Sequence, residues 1–116
     1  IGADPAQIEA ASRTGAAVVE LHTGAFCDAA REGDADQASR LLDGLEAGAR
    51  QAAALGLEVH AGHGIDYETV RPIAAIPEVA ELNIGHFLVG EAIFVGLAGA
   101  VGEMRRRMDA ARAGTA

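Results

Sequence analysis

Apolar positions change their spacing repeatedly along the chain, and each change predicts an element. Val18 to His22 alternates with a period of two, with Val19 and Leu21 facing one way and Val18, Glu20 and His22 the other, which predicts a first strand. Leu57 to His60 predicts a second strand and Glu81 to Ile84 a third. Before the first strand, Asp4 as N-cap, Pro5 at the first helical position and Gln7 placed to reach back mark a helix that ends at Gly15. Between the first two strands a polar loop through Asp34 leads into a long helix. Its Ala38, Leu41, Leu42, Leu45, Ala49, Ala52 and Leu55 recur at helical spacing until Gly56 stops it. Asp66 is expected to cap a short helix carrying Val70, Ile73 and Ala74, which finishes near Ile76 because Pro77 disfavours helical geometry in the residue before it. The remainder is helical but interrupted by Gly90, Gly96, Gly99 and Gly102. We expect two helices divided near Gly96, the second with Leu97, Val101, Met104 and Met108 on one side.

Strands alternating with helices are the pattern of parallel βαβ units. One face of the three strands is apolar, through Val19, Leu21, Leu57, Val59, Leu82 and Ile84, and suits packing under helices. The other carries Glu20, His22, Glu58, His60, Glu81 and Asn83, whereas a doubly wound sheet is apolar on both faces. The interior of a barrel mouth explains a polar face, and so does an amphipathic sheet with one wet side; periodicity does not choose between them.

Composition narrows the partners. The 116 residues carry a net charge of −8, with nine arginines and no lysine, which argues against a nucleic-acid groove or an anionic membrane surface and favours small molecules. The Arg105-Arg106-Arg107 run is expected to be a solvated helix end. No apolar run is long enough for a membrane span, no signal peptide is recognisable, and the single Cys27 cannot form an internal disulfide, so a cytoplasmic setting is expected. The chain is under half the roughly 250 residues of a typical barrel. It begins at Ile1, directly before a helix start, and we expect it to be a piece of a longer protein.

Candidate chemistry lies at the strand ends. Gly62-His63-Gly64 follows the second strand; glycines on both sides permit unusual backbone angles and leave the imidazole open, a setting for a general acid or base as well as for an ordinary turn. Asn83-Ile84-Gly85-His86 closes the third strand and opens a helix at Phe87, a junction that favours a bound phosphate, although a tight turn also needs its glycine. Glu20 and His22 project the same way at the end of the first strand, to stabilise a charged intermediate or simply as a polar pair. Cys27 lacks a basic neighbour beyond Arg31 and is not expected to be a reactive thiolate.

Taken together, Glu20-Leu21-His22-Thr23-Gly24, His60-Ala61-Gly62-His63-Gly64-Ile65, Pro72-Ile73-Ala74-Ala75-Ile76-Pro77-Glu78, Glu81-Leu82-Asn83-Ile84-Gly85-His86, Gly90-Glu91-Ala92-Ile93-Phe94 and Ala100-Val101-Gly102-Glu103-Met104 resemble, in order and spacing, the pyridoxine 5′-phosphate synthase family over nearly the whole chain. The resemblance implies a (β/α)8 TIM barrel. Residues 1–116 would be the C-terminal half of that single domain, with the end of strand five and βα units six to eight. It implies condensation of 3-amino-2-oxopropyl phosphate with 1-deoxy-D-xylulose 5-phosphate to pyridoxine 5′-phosphate, phosphate and water, without metal or organic cofactor. By motif position, His63 would be the catalytic proton donor and Glu20 the transition-state-stabilising glutamate. Gly64 would contact the amino-oxopropyl phosphate, with Gly85 and His86 at its phosphate. A ring-like homo-oligomer, commonly an octamer, is also implied. The family's other catalytic His and Glu and its substrate-binding arginines lie outside this chain, so the segment alone is expected to be inactive and, with open strand edges, insoluble. Two other readings remain: a metal-dependent barrel hydrolase using His22, His60, His63 and His86, and a non-catalytic phosphate-ligand-binding module in which Gly85 and His86 bind and His63 is structural.

Overall fold

A computed structural model describes residues 1–114. The elements run α1 (Pro5–Arg13), β1 (Val18–His22), α2 (Gly24–Arg31), α3 (Ala35–Ala54), β2 (Glu58–Gly62), α4 (Val70–Ala74), β3 (Val79–Asn83), α5 (His86–Val95) and α6 (Leu97–Ala113). The strands form one parallel sheet in the order β1-β2-β3. Asp4 caps α1 as the sequence suggests, its carboxylate accepting from the Ala6 amide, and Asp34, at the end of the preceding turn, caps α3 by accepting from the Gln37 amide. Gln7 reaches back further than expected, its Oε1 accepting from the Gly2 amide. Asp66 accepts from the amides of Glu68 and Thr69, fixing a turn from which α4 begins at Val70.

The helix layer covers only one face of the sheet. Val19, Leu21, Val59, Ala61 and Val79 are buried beneath it with Leu45, Ala49, Ile73 and Met104. Glu20, His22, Glu58, Glu81 and Asn83 on the opposite face are exposed. Burial of the apolar side chains, at about 25 cal/mol per Å² removed from water, is what seats the helices on this face and leaves the polar one open.

Four expectations need correction. The segment after β1 is the helix α2, not a polar loop: Phe26, Cys27 and Ala29 recur at helical spacing and are buried, so tertiary packing overrides the weak local signal of a helix that starts on glycine. β3 begins at Val79 rather than Glu81 and ends at Asn83 rather than Ile84. The pairing is irregular where Val59↔Val79 is followed by His60↔Glu81, so Ala80 is an extra residue that breaks the alternation visible in the sequence. Arg112 of α6 donates to the Val79 carbonyl at this point. Finally, Leu97 and Val101 do not join Met104 in the core; they are exposed, with Ile93 and Phe94 of α5. β2 also runs on through Ala61 and Gly62, past the expected end at His60.

Beside β1, Ile1 donates its amino group to the Glu20 carbonyl and accepts from the His22 amide, both at 2.8 Å. This is the bonding of a parallel neighbour opposite Leu21.

The Arg105-Arg106-Arg107 run pairs along α6, where Arg105 bonds Asp109 and Arg106 and Arg107 share Glu103, and Arg107 also donates to the Tyr67 carbonyl and lies over that ring.

Candidate active site

The C-terminal ends of the parallel strands and the turns that follow them meet at a cavity of about 710 Å³ lined by Glu20, His63, Gly64, Gly85 and His86, with Arg31 and Asn83 also on its wall. The five residues to which the resemblance gives a role therefore line one space, and His22, His60 and Cys27 lie outside its lining. The imidazole of His63 lies on the same side of the sheet as the turn after Ile84.

Glu20 points off the polar face of β1, and its Oε1 accepts a 2.6 Å hydrogen bond from Asn83 Nδ2 of β3. This bond passes over the intervening strand, which is possible because the residue there is glycine: a Cβ on Gly62 would lie 2.8 Å from Glu20 Oε1 and 2.8 Å from the Asn83 carbonyl. The carboxylate is thereby held in one orientation at the cavity.

His63 has φ +89°, the one positive-φ non-glycine residue among those described, and Gly64 follows at +77°. A non-glycine residue held there costs about 1–3 kcal/mol and persists only where neighbours impose it. The neighbours are identifiable. Thr23 Oγ1 donates to the His63 carbonyl at 2.6 Å, and Arg31 donates to the Gly64 carbonyl at 2.8 Å. The His63 ring stacks on His22, centroids 4.3 Å apart and planes 26° from parallel. His22 is itself fixed by the Gly24 amide, which donates to its Nδ1 at 3.2 Å.

Gly85 and His86 are the start of α5. No side chain caps this end, and the helix dipole points its positive end into the cavity. Arg31 adds a guanidinium to the same wall, bonded to Asp28 and to Asp66. Burial works to raise the Asp66 carboxyl, yet the Thr69 amide and hydroxyl, the Glu68 amide and Arg31 together hold it below the ordinary carboxylate range. Cys27 lies beneath this wall, and burial pushes its thiol up despite Thr69 and Arg31. It is a packing residue.

The four histidines do not gather around one point. His22 and His63 stack, and His86 stands at the start of α5. His60 is engaged lower in the sheet between Glu58 at 2.7 Å and Glu81 at 2.9 Å. Among the described residues no group of three His, Cys, Asp or Glu side chains is arranged to hold a metal ion.

Sequence reasoning did not assign Thr23, Arg31 or Asn83 to the site. Arg31 lies on α2 and Thr23 directly before it, each reaching a carbonyl of the turn after β2, and the Asn83–Glu20 bond spans two strand pairings, so no local signal marks these contacts. The inward parity of Asn83 was the only clue available.

Comparison with known proteins places this geometry. Residues 1–110 match the family model described as pyridoxal phosphate biosynthesis protein PdxJ. The chain is 71% identical over 112 residues to the pyridoxine 5′-phosphate synthase of Caulobacter sp. (strain K31), covering 97% of this chain and 45% of that protein. It is 66% identical over 109 residues to that of Caulobacter vibrioides (strain NA1000 / CB15N), covering 94% and 43%. The synthase of Jannaschia sp. (strain CCS1) is 64% identical over 112 residues, covering 97% and 45%. The chain thus spans less than half the length of the curated relatives it matches. With the family model matched over 110 of its 116 residues, the chain belongs to the pyridoxal phosphate biosynthesis protein PdxJ family.

Proposed function

We propose that this chain is the C-terminal half of a (β/α)8 barrel, with the end of strand five and βα units six to eight, in a pyridoxine 5′-phosphate synthase. The reaction condenses 3-amino-2-oxopropyl phosphate with 1-deoxy-D-xylulose 5-phosphate to give pyridoxine 5′-phosphate, phosphate and water. The observation that carries this reading is the single cavity that brings His63, Glu20 and the Gly85–His86 helix start together. The one-sided helix layer and the parallel-strand bonding of Ile1 beside β1 support the barrel.

In this reading the amides at the start of α5, approached across Gly85, and the side chain of His86 hold the phosphate of the amino-oxopropyl substrate, while Gly64 contacts its body. Schiff-base formation, phosphate elimination and ring closure each move protons. His63 donates one of them from a ring that faces the substrate, a contribution of about 10²–10⁴-fold. Glu20, oriented by Asn83, stabilises the positive charge that develops on nitrogen as the imine forms. The residues named need no metal or organic cofactor for these steps. The remaining catalytic groups come from the rest of the protein, so the 116-residue segment alone forms no product. A homo-oligomer, an octamer by family, and a cytoplasmic location belong to the same reading. The described chain has no helix long and apolar enough to cross a membrane.

The test uses the whole protein. His63→Asn is expected to lower kcat by about 10²–10⁴-fold with substrate binding, measured by calorimetry, kept. Unchanged turnover would instead make His63 structural, and phosphate binding without turnover in the unaltered whole protein would make the site a phosphate-binding module.

A further inference from the structure

We propose that the turn His22-Thr23-Gly24 is a positioning element for His63, acting on its ring and its backbone at once. The proposal rests on the reading of His63 as proton donor. Three consecutive residues each make a different contact. The His22 ring stacks on the imidazole at 4.3 Å. The Thr23 hydroxyl bonds the His63 carbonyl at 2.6 Å, and Thr23 is buried. Gly24 supplies the space both rings occupy: a Cβ there would lie 2.6 Å from His22 Cε1 and 2.8 Å from His63 Cδ2.

Each contact answers a specific need. His63 sits at φ +89° between two glycines, so its own backbone does little to hold it, and its side chain is exposed to the cavity. A proton donor must keep its ring within hydrogen-bond reach of the reacting atom. The Thr23 bond fixes the peptide that follows the imidazole, and the stacked ring limits its rotation. Because Nδ1 of His22 accepts from the Gly24 amide, the neutral ring carries its proton on Nε2 and is locked in plane by its own turn. The turn is anchored in its place through the Thr23 amide, which donates to the Gly62 carbonyl at 2.9 Å, so β1 and β2 are registered to each other at the residue before His63.

The experiment is a mutant cycle in the whole protein. Thr23→Val keeps the shape and removes the hydroxyl; kcat should fall about 10- to 100-fold with KM for both substrates within about threefold. Thr23→Ser should restore most of it. His22→Ala should lower kcat in the same way, and His22→Phe, which retains a flat ring, should recover part of the loss. In a His63→Asn background, whose residual rate is measured, Thr23→Val and His22→Ala should cause no further loss, because both act through His63. Equal losses in both backgrounds, or a rise in KM with kcat unchanged, would overturn the proposal. If His63→Asn itself leaves turnover intact, the proton-donor reading fails instead, and the two results are distinct. Should Thr23→Val not fold, the exposed His22 pair of variants decides alone.

Discussion

Gly62→Ala is the substitution for which the structure makes the most specific claim. Gly62 has an ordinary strand backbone, so alanine meets no conformational barrier and would gain about 0.5–1 kcal/mol over glycine in a strand. The obstacle is space: the new methyl would lie 2.8 Å from the Asn83 carbonyl and 2.8 Å from Glu20 Oε1, with Cδ of Glu20 at 3.2 Å. One of these neighbours is backbone of a paired strand and the other is held by a 2.6 Å bond, so neither yields cheaply. Overpacking of this kind costs about 1–3 kcal/mol, leaving a net loss of roughly 1–2 kcal/mol after the backbone gain. In a barrel of roughly 250 residues this lowers Tm by about 2–8 °C. Glu20 is the softer neighbour and swings off Asn83, so kcat should fall by about 10²-fold, well beyond what the stability loss explains. Thermal unfolding by circular dichroism, paired with steady-state turnover on folded protein, reads both effects. An alanine variant with unchanged Tm and unchanged kcat would refute the inference that Gly62 exists to let β1 and β3 reach each other.

Gly85→Ala makes the opposite prediction: φ is −111° and a Cβ would meet nothing within 4 Å, so stability should hold to within about 0.5 kcal/mol while, on the proposed function, KM for the amino-oxopropyl phosphate rises about tenfold. Loss of Tm with KM unchanged would remove phosphate from that turn. Asp66→Asn should cost about 1–3 kcal/mol at neutral pH through its lost charge-assisted bonds. Because the folded carboxyl lies below its unfolded value near 3.9, that stability is full above about pH 4 to 5 and fades as pH falls through the folded value. Urea unfolding at a series of pH values should show the gap between the two proteins narrowing in acid, and a pH-independent gap would count against the assignment. Cys27, buried with its thiol pushed up, should be alkylated at neutral pH only as fast as the protein opens, so rapid labelling of folded protein would contradict its placement.

The parts of the fold legible in the sequence were those governed by short-range rules. β1 could be read to its ends because Val19 and Leu21 alternate with Glu20 and His22 without interruption, and the cap at Asp4 is local chemistry. α2 was not legible: its eight residues begin on glycine, and burial of Phe26, Cys27 and Ala29 against the rest of the core, rather than propensity, makes it helical. The start of β3 was hidden by the extra residue at Ala80. In the site, Glu20, His63 and Gly85 stand at strand ends, where position alone suggests a role. Thr23 also follows a strand end and Arg31 closes α2, but their roles depend on which carbonyl each reaches, 40 and 33 residues away, and sequence position does not show that.

That extra residue at Ala80 acts as a phase shift. Were β3 to pair with β2 in unbroken register from Val59↔Val79, Leu82 would stand opposite Gly62, and Asn83 would turn toward the helices. Leu82 would then be pushed against the Glu20 carboxylate, and the polar lining and the hydrophobic layer would exchange along the whole upper half of the strand. The irregular step is therefore what lets a strand with a surplus residue still deliver Asn83 to the cavity, whereas a chain lacking Ala80 would set Glu81, Leu82 and Asn83 opposite the same partners with no break at all.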